Sequence, residues 1–140
     1  MASPDTIAVG DELPAFVREG TVHHWNRFAA ANCEFAAHHW DDEVARHEGF
    51  PSAFAMAPLQ HAYLHAMLRD WLGEDGRIVA VAIRLRSPFL RGRTLTAGGR
   101  VTGIRREGGE TLADLDLWET DEEGTSIATG TATVALPDRS

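Results

Sequence analysis

Within ten residues, Cys33-Glu34-Phe35-Ala36-Ala37-His38-His39-Trp40-Asp41-Asp42 sets three carboxylates and two imidazoles beside apolar neighbours. A carboxylate and an imidazole together can take a proton from one atom and return it to another near neutral pH, which is general acid–base chemistry. The same residue types also crowd solvated turns, so the stretch alone leaves both readings open. Glu34 and His39 are five positions apart and would not share one face of a straight helix. For both to reach one water molecule, the chain must turn at a helix end. His61 and His65 form a second cluster at i, i+4 spacing that can converge with His38 or His39 on a metal ion. That pair lacks the Glu of an HExxH signature, and the expectation is no metal.

The chain that must position these groups has 140 residues, 44% of them hydrophobic, which suits one globular domain with a core over about residues 8–136. The ends, residues 1–8 and 137–140, carry no regular pattern. A net charge of −8 argues against a nucleic-acid surface or an anionic membrane as partner. One cysteine, Cys33, cannot form an internal disulfide, and the N-terminal stretch lacks the charged-then-apolar order of a signal peptide. With no apolar run near the ~18 residues of a membrane helix, the expectation is a cytoplasmic protein. All thirteen basic residues are arginine.

Thr21 reads as the cap of a helix over Val22 to Asn32, with Trp25, Phe28 and Ala29 on one side. A short extended stretch ending at Gly20 precedes it. Residues 41–48 read as a short helix with acids in its first turn and Gly49 at its end. From Pro58 to Leu72 runs a broadly apolar helix, with Leu59, Ala62, Tyr63, Ala66, Met67 and Trp71 on one face, Leu64 and Leu68 extending it round the cylinder, and Gly73 as its stop. After Gly76 the period changes to two. Val79, Val81, Ile83 and Leu85 alternate with Ala80, Ala82, Arg84 and Arg86, and further strands follow over 93–106, 110–121 and 125–136. Hairpin-type turns separate the last three strands. The layout is α+β: a long central helix wrapped by an antiparallel sheet of about five strands.

In this order of elements the chain resembles the MaoC-like hydratases and dehydratases, a branch of the hot-dog fold, closest to short actinobacterial MaoC-like subunits. Glu34, His39 and Asp41 stand at the spacing of the family's D-x-N-P-x-H-x-D motif, and Phe54-Ala55-Met56-Ala57 stands where the family reads His-Gly-Met. The segment RLRSPFLRGRTLTAGGRVTGIRR matches the family's Arg, Pro, Gly and following strand through Pro88, Gly92, Leu95 and Val101. There are departures: glutamate replaces the family's aspartate, Ala36-Ala37 its Asn-Pro, and Ala55 its glycine.

The resemblance implies a hydratase or dehydratase of an enoyl or 3-hydroxyacyl thioester, with CoA favoured over a carrier protein and no other cofactor. Glu34 and His39 would hold and activate water. Backbone N–H groups of Ala55, Met56 and Ala57, at a helix N-terminus, would receive charge on the thioester oxygen. Trp40 and Tyr63 are candidates to line an acyl pocket, and Arg91 and Arg93 to meet phosphates of the carrier. His38 replaces His39 if the register slips by one. Against this stands the plain alternative that Glu34 solvates a helix end and His39 packs in a loop. A pocket-completing, non-catalytic partner subunit and a dehydratase or cyclase of polyketide-type biosynthesis are the competing functions. A hot-dog thioesterase fits less well, because the early long helix offers Gln60 and His61 but no acid. Exposed sheet edges imply a homodimer or a heterodimer with a homologue.

Overall fold

The computed structural model describes Ala2 and residues 6–137. Helix α1 spans Val22–Asn32, with the Thr21 hydroxyl accepting the His24 N–H at 3.2 Å. It packs inward through Trp25 and Ala29, both fully buried. A single tight turn over Ala37–His39 leads to helix α2, Asp42–His47. Asp41 caps α2 by accepting the N–H groups of Glu43 and Val44 at 2.9 and 3.3 Å, as its acid-rich start predicts. Helix α3 spans Ala57–Leu72 and ends at Gly73.

Around α3 curls an antiparallel sheet of β1 (Phe16–Glu19), β2 (Arg77–Leu85), β3 (Thr94–Glu107), β4 (Glu110–Asp121) and β5 (Ser126–Ala135), in the order β1-β3-β4-β5-β2. Sequence neighbours β3, β4 and β5 pair through short turns, whereas β2 crosses to the far side of β5 and leaves β1 and β2 as the edges. Leu64, Leu68 and Leu72 of α3 meet Leu95, Val101, Leu115 and Val134 of the sheet, all essentially buried. Each such side chain contributes on the order of 2 kcal/mol through apolar burial.

Three expectations change. The centre of the buried face of α3 is Leu64 and Leu68 with Leu59, Gln60, Met67 and Leu72; Ala62, Tyr63, Ala66 and Trp71 are only half-buried. The sheet reaches the helix more from the leucine side than the apolar count suggests. In β2 the alternation breaks at a bulge between Ile78 and Ala80, so Ile78, Val81 and Ile83 turn inward and Val79 is left 45% exposed. Of the patternless ends, Ala2 is buried and its N–H donates to the Trp71 carbonyl at 2.8 Å; residues 1, 3–5 and 138–140 lie outside the described residues.

Candidate active site

The turn that Glu34 and His39 require sits at Cys33, the one described non-glycine residue with positive φ, at φ 54° and ψ 40°. Its left-handed backbone ends α1: the Cys33 and Glu34 N–H groups both donate to the Ala29 carbonyl. The chain then folds back through Ala37–His39 and brings His39 Nε2 to 3.6 Å from Glu34 Oε1. That separation is beyond a good direct hydrogen bond and suits one bridging water. The His39 side chain is 5% exposed and that of Glu34 32%, so the acid faces solvent while the imidazole is set into the protein.

His39 is oriented from behind. Its Nδ1 lies 2.7 Å from the Phe54 carbonyl oxygen. A carbonyl only accepts, so Nδ1 carries a proton and donates it to Phe54, and Nε2 is the ring nitrogen turned toward Glu34. His38 is used differently: its Nδ1 contacts Glu48 Oε2 at 2.7 Å and its ring stacks on Phe54 at 4.9 Å. The one-residue register slip therefore does not occur, and His39 is the histidine that meets Glu34.

Phe54 belongs to a segment pinned on three sides. The Ala55 N–H donates to the Phe89 carbonyl and the Arg91 N–H to the Ala53 carbonyl, both at 2.9 Å. The Ala53 N–H donates to Asp42 Oδ1 at 2.9 Å, while Asp42 Oδ2 pairs with Arg91. Residues 53–55 are thus laced to 89–91 and to the start of α2. The 89–91 loop is in turn held against α1 by Phe89, which meets Trp25 edge-to-face at 5.8 Å.

Of the expected oxyanion donors, Ala55 is already committed to Phe89, which narrows the set. The Met56 and Ala57 N–H groups have no backbone acceptor among the described residues, because they precede the first internal bonds of α3. Ala57, Ala55 and Phe54 line a cavity of about 290 Å³ together with Phe50, Leu85 and Pro88; Glu34, His39 and Met56 are not among its lining residues, and Phe54 stands between the acid–imidazole pair and the cavity. Gln60, Arg86 and Ser87 add its polar groups.

The other candidates lie elsewhere. Trp40 is half-buried beyond the tight turn. Tyr63 faces β1, its ring 6.1 Å from Phe16; burial raises its phenol pKa, Arg18 opposes that and Glu119 adds to it. Neither lines the cavity. Arg91 is paired with Asp42, and Arg93 with Glu123 at 2.6 Å and Glu122 at 3.7 Å, so both charges already have partners. Arg86, which strand alternation assigns to solvent, is the arginine at the cavity wall, where its Nε donates to Thr129 Oγ1 at 3.1 Å. Sequence reasoning missed Asp42 as a clamp and the Phe54 carbonyl as the anchor of His39. A backbone oxygen leaves no residue-type signal, and Asp42 reads as one more first-turn acid. His61 and His65 stand with ring centroids 4.9 Å apart, and no metal-binding cluster of three His, Cys, Asp or Glu occurs among the described residues.

No family model matches the sequence. Among curated proteins it is 29% identical over 115 residues to the bifunctional protein GlmU of Rhodopseudomonas palustris (strain TIE-1), over 81% of this chain but only 25% of that protein. The chain thus spans a quarter of that relative's length. Three solved structures match over nearly all of both chains. The ChsH1–ChsH2 complex from Mycobacterium tuberculosis gives a TM-score of 0.82 at 23% identity, covering 92% of this chain and 98% of its counterpart. The (R)-hydratase from A. caviae involved in PHA biosynthesis gives 0.85 at 22%, covering 94% and 98%. The MaoC-like dehydratase from Rhodospirillum rubrum gives 0.85 at 20%, covering 100% and 99%. At such identities the likeness is one of fold, and the fold is the hot-dog fold that the MaoC-like dehydratases and (R)-hydratases share.

Proposed function

We propose that this chain catalyses reversible hydration of an enoyl thioester, or dehydration of the 3-hydroxyacyl thioester, with CoA rather than a carrier protein as the thiol. The observation that carries the reading is the 3.6 Å approach of Glu34 Oε1 to His39 Nε2 next to Phe54, which lines the cavity. A water beside the pair, within hydrogen-bond reach of both atoms, is held by both groups. Glu34 takes one of its protons as the oxygen bonds to C3. The electron pair of the C2–C3 double bond moves toward the thioester oxygen, which the Met56 and Ala57 N–H groups and the α3 dipole receive. The acid–imidazole pair then returns a proton to C2, and water has been added with no net change in the protein. Arg86 at the cavity wall suits a phosphate of CoA.

The likeness to a hydratase and a dehydratase supports the reaction class, and the likeness to the ChsH1–ChsH2 complex keeps a paired assembly in view. The free edge of β2, with Val79 exposed, suits a second subunit, either another copy or a homologue. No described helix is long and apolar enough to cross a membrane. The test is a panel of enoyl-CoA substrates with purified protein, followed by Glu34→Ala and His39→Ala. Turnover lost in both variants supports the assignment, and turnover indifferent to both refutes it. Activity only when mixed with a homologous subunit selects the pocket-completing role.

A further inference from the structure

The mechanism leaves unused the most unusual side chain in the core. Glu119, on β4, is fully enclosed, and neither of its carboxyl oxygens has a hydrogen-bond partner among the described residues. Gln60 of α3 is 2% exposed, and its Nε2 is likewise without a partner. Each unpaired buried group is costly; Trp25 Nε1 and His61 Nε2 are also without a partner among the described residues, but Glu119 has both carboxyl oxygens in that state.

The sheet register places both relative to the cavity. Phe16, Ala97, Glu119, Ala128 and Leu85 form one row of cross-strand partners running from the β1 edge to the β2 edge on the inner face. Leu85 ends that row and lines the cavity; Ala128 and Glu119 are not among the lining residues and stand one and two strands behind that wall. Two strand spacings put Glu119 roughly 10 Å inward from Leu85. Its flanking residues Ala97 and Ala128 are alanines, so little side-chain bulk stands beside the carboxyl. Helix α3 lies across this row, with Tyr63 over Phe16 at one end and Gln60 at the cavity wall.

Resting on the thioester reading above, we infer that an acyl chain reaching inward past Gln60 and Leu85 of the cavity wall is recognised by Glu119 and Gln60 through an oxygen function, a hydroxyl or ketone well removed from the thioester. The amide N–H of Gln60 donates to that oxygen, and the carboxyl of Glu119 accepts from a hydroxyl or donates to a ketone. A plain alkyl chain leaves both groups unpaired. Burial raises the carboxyl pKa to about 8, which keeps it neutral and able to donate at pH 7.

Calorimetric titration with two unreactive saturated acyl-CoA probes of equal length, one alkyl and one carrying a mid-chain hydroxyl, tests this without requiring turnover. Wild type is expected to bind the hydroxylated probe about tenfold or more tightly, as expected for a site built to hydrogen-bond a substrate oxygen. Glu119→Leu and Gln60→Leu are each expected to remove or reverse that preference. Glu119→Gln keeps the shape and serves if the leucine variant does not fold; it is expected to shrink the ratio. Equal affinities in wild type, or a ratio unchanged in the variants, overturn the inference while leaving the hydratase reading in place. Failure of both probes to bind wild type overturns the inference together with the thioester reading.

Discussion

Glu34 and Glu119 are the same side chain in opposite settings. Glu34 sits at a bend, one-third exposed, with His39 opposite and Asn32 Nδ2 donating to its Oε2 at 3.2 Å. Glu119 sits on an inner strand face, fully enclosed, without partners. Solvent and an imidazole make the first a group that can exchange protons with water. Apolar walls hold the second in its neutral form, a hydrogen-bonding group rather than a charge. Residue type says little about a carboxyl's work until the element carrying it is known.

The sharpest break of this contrast comes from the site at the bend. Glu34→Ala or His39→Ala is expected to lower kcat for enoyl-CoA hydration by about 10²- to 10⁴-fold, the usual range for a positioned acid or base. The double variant is expected to be little worse than either single one, because the two groups act on one water. Glu34→Ala leaves the melting temperature nearly unchanged, as its side chain packs against little. The same kinetic panel on Glu119→Gln is expected to retain turnover on plain alkyl substrates, which separates the two glutamates.

The enclosed glutamate shows itself in stability. Its carboxyl titrates near 4.5 in the unfolded chain and at about 8 when folded. The folded state therefore keeps its proton where the unfolded state has lost it. The contribution of Glu119 is fullest below about pH 4.5 and declines as pH rises toward 8. Arg18 on β1 and Tyr63 on α3 are the titratable groups electrostatically coupled on this side of the core. Urea unfolding across that window is expected to show a steeper loss for wild type than for Glu119→Gln, with the difference between the two proteins isolating this carboxyl. At pH 7, Glu119→Leu is expected to gain about 1–3 kcal/mol by removing an unpaired buried group. A loss of that size would mean that the core has hidden partners for the acid.

A smaller effect is expected at Asp42, which touches neither water nor thioester but clamps residues 53–55 through the Ala53 N–H and Arg91. Asp42→Asn keeps an oxygen for the N–H and loses the charge, whereas Asp42→Ala loses both. The alanine variant is expected to cost about 1–2 kcal/mol of stability and to lower kcat more than it raises KM, because Phe54 holds His39 rather than substrate. Rescue by asparagine separates positioning from simple loss of packing.

Most of the architecture was legible because periodicity and punctuation agreed. Thr21, Asp41 and Gly73 mark the boundaries of α1, α2 and α3, and the changes of period after Gly76 mark the strands. What periodicity misjudged was the centre of the buried face of α3 and the parity of β2 ahead of its bulge, where Ile78 rather than Val79 turns inward. A helix apolar nearly all round does not say which side meets the sheet, and the bulge between Ile78 and Ala80 has no residue-type signature in a run of small and branched apolar residues. At the site, the spacing of Glu34, His39 and Asp41 carried the resemblance, but the 3.6 Å approach depends on a tight turn and a backbone carbonyl. Neither is written in side-chain chemistry. Glu119 lay in plain view, in a strand of alternating acids and apolar residues, and its burial became visible only once register put it in line with Ala97 and Ala128.

The smallest expected effect concerns the bend itself. Cys33 holds a left-handed backbone that costs an ordinary residue about 1–2 kcal/mol, while Cys33→Gly removes that cost and adds about 0.5–1 kcal/mol of unfolded-chain entropy. The net expectation is a gain of at most about 1 kcal/mol, read as a higher urea midpoint at unchanged slope, with hydration kinetics intact. Cys33→Val acts in the other direction, since a β-branched side chain resists this conformation more strongly. It is expected to lose stability and also to lower kcat, because Glu34 follows Cys33 directly and any relaxation of the bend carries the carboxylate away from His39. A valine variant that loses stability but keeps full turnover would show that the tight turn over Ala37–His39, rather than the left-handed residue, sets the separation between acid and imidazole.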